Sequence, residues 1–327
     1  MATYLITGIA GFIGSSLARA ALAQGDKVRG IDNLSTGKKE NLAEISSQID
    51  FREADLLDLA AVHDACKGVD YVLHQAAIPS VPKSVIDPLG SNRANVDATV
   101  NVLVAARDAK VKRVVYAASS SAYGDTPTLP KHEEMFPNPI SPYAVAKLAS
   151  EYYMISFFRC YGLETVCLRY FNIFGPRQDP TSPYSGVLAK FITQMLNGET
   201  PTILGDGKQS RDFTYIDNAV QANLRACKAP APHVAGKVFN VATGRRVDLN
   251  ETFDILKTII GFSGEATYGP ERAGDVKHSL ADLSRSDNFL GYKPTVHFED
   301  GLRKTIDWYR TRDKSASTQS QLVSSPS

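Results

Sequence analysis

Hydrophobic positions in the first half of the chain fall into short β-branched runs, separated by stretches in which apolar residues recur at three- and four-residue spacing. Residues 3–7 (TYLIT) predict a strand, and residues 12–24 the helix after it. Residues 27–32 predict a second strand, 49–52 a short third and 69–74 a fourth, followed by a long helical pattern from about Asn92 to Ala109. Residues 114–118 and 165–170 complete the series. Near-continuous apolar strands alternating with helices predict a parallel sheet covered on both faces. That is the doubly wound (Rossmann) α/β fold, which gathers ligands at the carboxyl ends of its strands. After Asn172 the texture changes, with Gly175-Pro176, Asp179-Pro180, Ser182-Pro183 and Gly205-Asp206-Gly207 punctuating shorter elements. Residues 238–242 read as one more buried strand, returning to the main sheet. We therefore expect residues 1–172 with about 210–245 to form the Rossmann domain. Residues from about 173 to 209, with 246–314, would form a smaller, interleaved α/β domain, and the polar stretch 315–327 a flexible tail.

Composition narrows the possibilities. The 36 basic and 35 acidic side chains leave a net charge of +1, so no whole-chain field draws nucleic acid or an anionic membrane, and neither partner is expected. The longest apolar runs are strand length, too short to span a bilayer. Gly8 and a charged, periodic segment follow the opening strand, which does not fit a signal peptide. Cys66, Cys160, Cys167 and Cys227 lack metal-binding spacing and partnering histidines, so they read as reduced, mostly buried thiols of a cytoplasmic protein without a metal site.

Candidate chemistry starts at the first turn. Gly8-Ile9-Ala10-Gly11-Phe12-Ile13-Gly14 closes the first strand and opens the first helix, where glycines let backbone N–H groups approach a pyrophosphate and the helix dipole assists. Asp32 ends the second strand, where a carboxylate accepts from adenosine ribose hydroxyls and repels a 2′-phosphate, favouring NAD over NADP. Lys38 and Lys39 weaken that preference slightly. Asp55-Leu56, at the end of the third strand, is placed to receive an adenine amino group. Farther on, Ser141 is a helix cap and Pro142 suits a first turn, which stacks Tyr143 and Lys147 on one helix face. A phenol with a pKa near ~10 is a poor base at neutral pH. One ammonium about 6 Å away, at an effective dielectric of ~20, contributes roughly 3 kcal/mol, or about two pKa units. A second positive charge, such as an oxidised nicotinamide ring, would bring the phenol near neutrality.

These segments, with Ser119-Ser120-Ser121, His74-Gln75-Ala76-Ala77, Tyr123-Gly124, Arg169-Tyr170-Phe171-Asn172 and Arg211-Asp212-Phe213, give a chain that resembles the extended short-chain dehydrogenase/reductase family over roughly residues 2–310. One departure is Ile9, where members often carry a second glycine; a backbone with negative φ and a side chain turned away would accommodate it. Within the family it looks most like the nucleotide-sugar 4-epimerases, and residues 117–125 and 274–279 look like those of the subgroup that prefers UDP-N-acetylhexosamines, enzymes that serve polysaccharide biosynthesis. Relatives that dehydrate or decarboxylate the sugar carry an acid after the catalytic Ser/Thr; Ser120 and Ser121 stand there instead.

The resemblance implies a tightly bound, recycled NAD held by Gly8, Gly11, Phe12, Ile13, Gly14, Asp32, Asn33, Ser35, Thr36, Gly37, Asp55, Leu56, Gln75, Ala76, Ala77, Asn95, Tyr143, Lys147 and Tyr170. Tyr143 would take the proton of the sugar 4-hydroxyl as the 4-hydride leaves, Ser119 would bridge to that hydroxyl, and Lys147 would bind the nicotinamide ribose and hold the phenol pKa down. The 4-keto sugar would then turn and receive hydride on its other face. Asn172, Arg211, Arg272 and Asp275 would grip the nucleotide, and Ser80, Ser84, Ser120, Ser121, Val187 and Ser279 would also meet the substrate. Ser279 falls where relatives confined to non-acetylated sugars carry Tyr. His74 is expected to be structural, and Val96, Val100, Leu103 and Val104 to be core. Their helix and the Tyr143 helix would also pair two subunits as a four-helix bundle, giving a homodimer. The alternatives are a UDP-hexuronic acid 4-epimerase and a non-catalytic NAD-binding scaffold, which would have no need of the Tyr/Lys/Ser set.

Overall fold

The computed structural model describes residues 1–180, 186–271 and 276–323, with side chains to residue 311. The first half runs β1 (Thr3–Thr7), α1 (Phe12–Ala23), β2 (Lys27–Asp32), β3 (Ile49–Glu53), α2 (Leu59–Cys66), β4 (Tyr71–His74), α3 (Val81–Ile86), α4 (Pro88–Asn92), α5 (Ala98–Asp108), β5 (Arg113–Ser119), α6 (Pro142–Tyr161) and β6 (Glu164–Tyr170). The second half runs β7 (Ile173–Phe174), α7 (Val187–Leu196), β8 (Thr202–Leu204), β9 (Ser210–Arg211), β10 (Thr214–Tyr215), α8 (Ile216–Lys228), α9 (Ala231–Val234), β11 (Lys237–Val241), β12 (Val247–Asp248), α10 (Leu249–Ile260), β13 (Thr267–Gly269), α11 (Ser284–Leu290) and α12 (Phe298–Val323).

Seven parallel strands form the main sheet in the order β11-β6-β5-β4-β1-β2-β3. Its apolar runs are buried on both sides, with Tyr4, Ile6 and Leu73 in one core and Leu5, Val72 and Val114 in the other. Residues 238–242 do return to this sheet, β11 pairing with β6. The strand order reverses direction between β1 and β4, which opens a crevice at their carboxyl ends.

A third core lies outside the sheet. Phe213 stacks on Phe298 at 5.1 Å between centroids, and Phe174 meets Phe298 edge-on at 5.6 Å, with α7, α10 and α12 packed around them. Phe213, Tyr215 and Ile216 pack into this core, while the rest of α8, which begins at Ile216, packs on α1 over the sheet. Asp212, fully buried, accepts from Thr243 N–H (2.8 Å), Thr243 Oγ1 (2.7 Å), Gly244 N–H (3.0 Å) and Ala281 N–H (3.2 Å). The α12 backbone stays helical to Val323, through much of the stretch whose composition suggests a tail.

The long helical pattern begins at Pro88, earlier than the sequence indicates, because Asp87 caps α4 by accepting from Gly90 N–H at 2.8 Å. Between α4 and α5 one π-helical turn, Arg93–Asp97, turns Asn95 inward, where its amide donates to Ser91 O (2.8 Å) and accepts from Ile78 N–H (3.2 Å). Val96 and Leu103 are buried; Val100 and Val104 are half-buried. Among the described residues no helix is long and apolar enough to cross a membrane, and no cluster of His, Cys, Asp and Glu could hold a metal ion.

Candidate active site

A cleft of about 890 Å³ runs across the carboxyl ends of the strands. At its floor, Gly8 has φ +67°, and a Cβ there would lie 2.8 Å from the Ala76 backbone. A Cβ on Gly14 would lie 2.1 Å from the Gly8 carbonyl oxygen. Ile9 is buried among core residues with its backbone outside the left-handed region, and it fills the space in which Gly30 of β2 has no side chain: a Cβ on Gly30 would meet Ile9 Cδ1 at 2.3 Å. The bulk of Ile9, in the turn after β1, is thus matched by the missing side chain at Gly30. α1 starts from Gly11 with no side-chain cap and no acid in its first turn, so its end stays electropositive.

Asp32 is buried at the end of β2, accepting from Ala10 N–H at 2.9 Å and Leu34 N–H at 2.8 Å; burial pushes its carboxyl above the ordinary value. Those two bonds leave carboxylate lone pairs for ribose hydroxyls. Asn33 donates to Asp55 at 2.8 Å. Gln75 is held by Tyr170, whose hydroxyl donates to it at 3.1 Å, and by Asn223 of α8, which accepts from Gln75 at 3.1 Å and donates to the Tyr170 hydroxyl at 2.7 Å. Every expected cofactor position lines the cleft except Asn95, which sits behind it. The glycine turn, the uncapped helix end and the Asp32 carboxylate together suit a dinucleotide with free ribose hydroxyls.

Ser119, Tyr143 and Lys147 meet in the same cleft. α6 places the latter two, starting at Ser141, which accepts from Ala144 N–H at 3.2 Å, with Pro142 in the first turn. Ser119 Oγ accepts from Ser121 N–H (3.1 Å) and Ser121 Oγ (2.8 Å) and shares a hydrogen bond with the Tyr143 phenol. A hydroxyl accepts two bonds and donates one. A Ser119 proton given to the phenol oxygen favours the phenolate, the direction in which this bond acts on Tyr143. Lys147 is buried; its Nζ donates to Ala117 O at 2.9 Å and lies 4.8 Å from the Tyr116 ring centroid.

Burial governs both titrations. It pushes the Tyr143 phenol up to about 12, against the lowering influence of the Ser119 hydrogen bond, and pushes the Lys147 ammonium down to about 7. Helix spacing gives the shared face of Tyr143 and Lys147 but not this desolvation. His74, buried between Thr7 Oγ1 (2.7 Å) and Thr99 Oγ1 (2.9 Å), is pushed by burial down to about 3 and stays neutral, a structural residue.

Of the expected substrate residues, Ser80, Ser120, Ser121, Asn172, Arg211 and Ser279 line the cleft, while Arg272 and Asp275 lie outside the described residues. Ser84 and Val187 do not line it. Ser84 is buried behind α6, accepting from Tyr143 N–H at 3.0 Å and donating to Val81 O at 2.7 Å, and Val187 packs on the third core. Ser279 sits 3.3 Å from Asp212 N and 3.4 Å from Asn172 Nδ2. The sequence reading misses Lys83, Lys131, Arg177 and His278, which also line the cleft. Lys131 is buried with its ammonium on Thr126 O and Oγ1, both at 2.5 Å.

Comparison with known proteins bears on the whole chain. The NAD dependent epimerase/dehydratase family matches residues 4–242. A putative UDP-glucose 4-epimerase of Methanocaldococcus jannaschii is 37% identical over 95% of this chain and 99% of its own length, and the UDP-glucose 4-epimerase of Mycolicibacterium smegmatis is 38% identical over the same shares. Among solved structures, the UDP-N-acetylglucosamine 4-epimerase of Methanobrevibacter ruminantium, in complex with UDP-N-acetylmuramic acid, superposes with a TM-score of 0.91 at 42% identity, covering 95% of this chain and 99% of that one. A UDP-glucose 4-epimerase of Thermus thermophilus in complex with NAD has a TM-score of 0.86 at 34% identity, covering 94% and 99%. With the matched region well over half of its length and its Rossmann crevice carrying the Tyr143/Lys147/Ser119 set, the chain belongs to the NAD dependent epimerase/dehydratase family.

Proposed function

We propose that this protein is an NAD-dependent UDP-sugar 4-epimerase, acting on UDP-GlcNAc and UDP-GalNAc and also on UDP-Glc and UDP-Gal, by way of a 4-keto sugar. The observation that carries the reading is the hydroxyl chain Ser121–Ser119–Tyr143, with Lys147 beside it, in a cleft that fits a dinucleotide. NAD, when bound, supplies the acceptor and donor for the C4 hydride. Tyr143 takes the 4-hydroxyl proton and later returns it. Ser119 gives its hydrogen bond to the phenolate and, once Ser121 turns aside, accepts from the sugar hydroxyl. After its bond to Ala117 O, Lys147 has N–H groups left for a ribose. Neither Ser120 nor Ser121 brings a carboxylate that would eliminate water, which favours plain epimerisation.

Asn172, Arg211, Arg272 and Asp275 grip the nucleotide in this reading, and the small Ser279 leaves room for an N-acetyl group. We also assign a cytoplasmic homodimer. Supporting the dimer, Val145, Tyr152 and Tyr153 are exposed on α6, and Val100 and Val104 are half-buried on α5, the helix that packs against it; supporting the compartment, all four cysteines are free. A UDP-hexuronic acid substrate is the second reading. It has in its favour Lys83 and Lys131, two of the lysines that line the cleft, although Lys131 is already committed to Thr126. The test is NMR of the purified protein with UDP-GlcNAc, UDP-Glc or UDP-glucuronic acid and no added cofactor. Formation of the 4-epimer of UDP-GlcNAc supports the assignment, and conversion of the uronic acid alone replaces it. Tyr143→Phe should abolish most turnover while NAD remains bound; turnover surviving in that variant refutes the assigned base.

A further inference from the structure

The segment after β7 reaches back from the third core toward the first helix, and Arg177 lies on it in the left-handed region, at φ +71°. Its neighbour Gln178 is fixed by a bond from Tyr309 Oη to its carbonyl oxygen at 2.5 Å, so the conformation is held from α12. The guanidinium is half-buried at the cleft wall. Nη2 donates to Ser16 Oγ of α1 at 3.2 Å, while Nε is buried and has no hydrogen-bond partner. Its charge is poorly compensated: burial and the nearby Arg19 both disfavour it, and Glu44, which favours it, is bonded to Arg19 at 2.9 Å. More distant Tyr215 and Asp217 are its other charge partners. Beside it, the first turn of α1 has no acid and no side-chain cap. A desolvated cation with an unused donor, next to a second positive end, is at its lowest energy when an anion lies between them.

The same segment carries a second contact across the cleft. Asp179 pairs with Lys38, from the loop after β2, at 2.7 Å, and both residues line the cleft. The pair ties the two walls together over the glycine-rich turn.

We propose that Arg177 is a ligand of the cofactor pyrophosphate and that Lys38–Asp179 is a latch that closes over the dinucleotide and slows its release. The proposal rests on the NAD-binding reading of the cleft. The Ser16 contact sets Arg177 against α1, the helix that opens from the glycine-rich turn, so we assign it to the phosphates of the cofactor and not to those of the sugar nucleotide.

The test uses the full chain stripped of nucleotide, with NAD, ADP-ribose and UDP titrated separately by calorimetry. Arg177→Met should weaken NAD and ADP-ribose alike by about tenfold to a hundredfold, the loss expected for one charge-assisted bond, with UDP affinity unmoved. Arg177→Lys should fall in between, because it keeps the charge and loses the fork. Asp179→Asn should speed NAD release in stopped-flow, and the exchanged pair Lys38→Asp with Asp179→Lys should slow it again. UDP binding doubles as the check that each variant is folded. Unchanged NAD affinity in Arg177→Met, an equal loss for UDP, or no recovery in the exchanged pair overturns the clamp while leaving the NAD reading intact. An unaltered chain that binds UDP but neither NAD nor ADP-ribose overturns both.

Discussion

Replacing Lys147 by Met should remove catalysis and make the nucleotide-free protein more stable. The buried ammonium is pushed from 10.5 down to about 7, which corresponds to roughly 5 kcal/mol against the charged form. Against that stand the bond to Ala117 O and the contact with the Tyr116 ring, which Met cannot reproduce, together worth about 1–3 kcal/mol. The balance is a gain of roughly 2–4 kcal/mol for Lys147→Met near neutral pH and below. Its pH dependence has a definite sign. Below about 7 the lysine is charged in both states, and the folded state carries the whole cost. From about 7 to 10.5 the unfolded chain keeps a proton that the folded chain has released, so the stability of the unaltered protein rises with pH. Above 10.5 both states are neutral and the difference closes. Urea unfolding of both proteins without nucleotide, from about pH 6 to about pH 10, measures that gap directly. A variant less stable than the unaltered protein at low pH, or a gap that does not narrow with rising pH, would show that the site solvates the ammonium and that the desolvation argument is wrong.

Ser84→Ala takes the acceptor from Tyr143 N–H (3.0 Å) and should lower kcat by about tenfold with little change in KM, because Ser84 positions α6 without lining the cleft. Ser279→Tyr should cut kcat/KM for UDP-GlcNAc by about a hundredfold relative to UDP-Glc in a paired NMR assay; equal losses would remove Ser279 as the gate for the N-acetyl group. Asp212→Asn should destabilise the fold by about 2–3 kcal/mol in urea, even though burial pushes that carboxyl up to about 6, because both oxygens accept N–H groups and an amide must turn a donor onto a donor.

The parts of this site visible in the sequence are those fixed by local chemistry. The apolar runs mark the strands because both faces of a parallel sheet are buried, and the glycine turn and Asp32 fall at strand ends where the fold puts ligands. The Ser141–Pro142 start places Tyr143 and Lys147 on one helix face within a single turn of chain. What stays hidden depends on partners distant in sequence. Asn223 reaches Gln75 from 148 residues away, Ser84 supports Tyr143 from 59, and Arg177 meets Ser16 from 161, and nothing near any of them distinguishes it from a surface polar residue. The π-helical turn at Arg93–Asp97 is hidden for another reason: one extra residue in a helix leaves the apolar period almost intact yet turns Asn95 inward.

Ile9 shows how the two kinds of information combine. Taken alone it departs from the glycine pattern, and its conformation can be guessed from the need for negative φ; the reason the departure is tolerated lies in Gly30, one strand over. Ile9, in the turn after β1, occupies the space that a side chain at position 30 would need, so packing constrains these two positions together. The same logic applies to the titrations. Four-residue spacing tells which groups share a face, but the direction in which each is pushed here follows from how much water the rest of the fold removes, and no run of neighbouring residues encodes that.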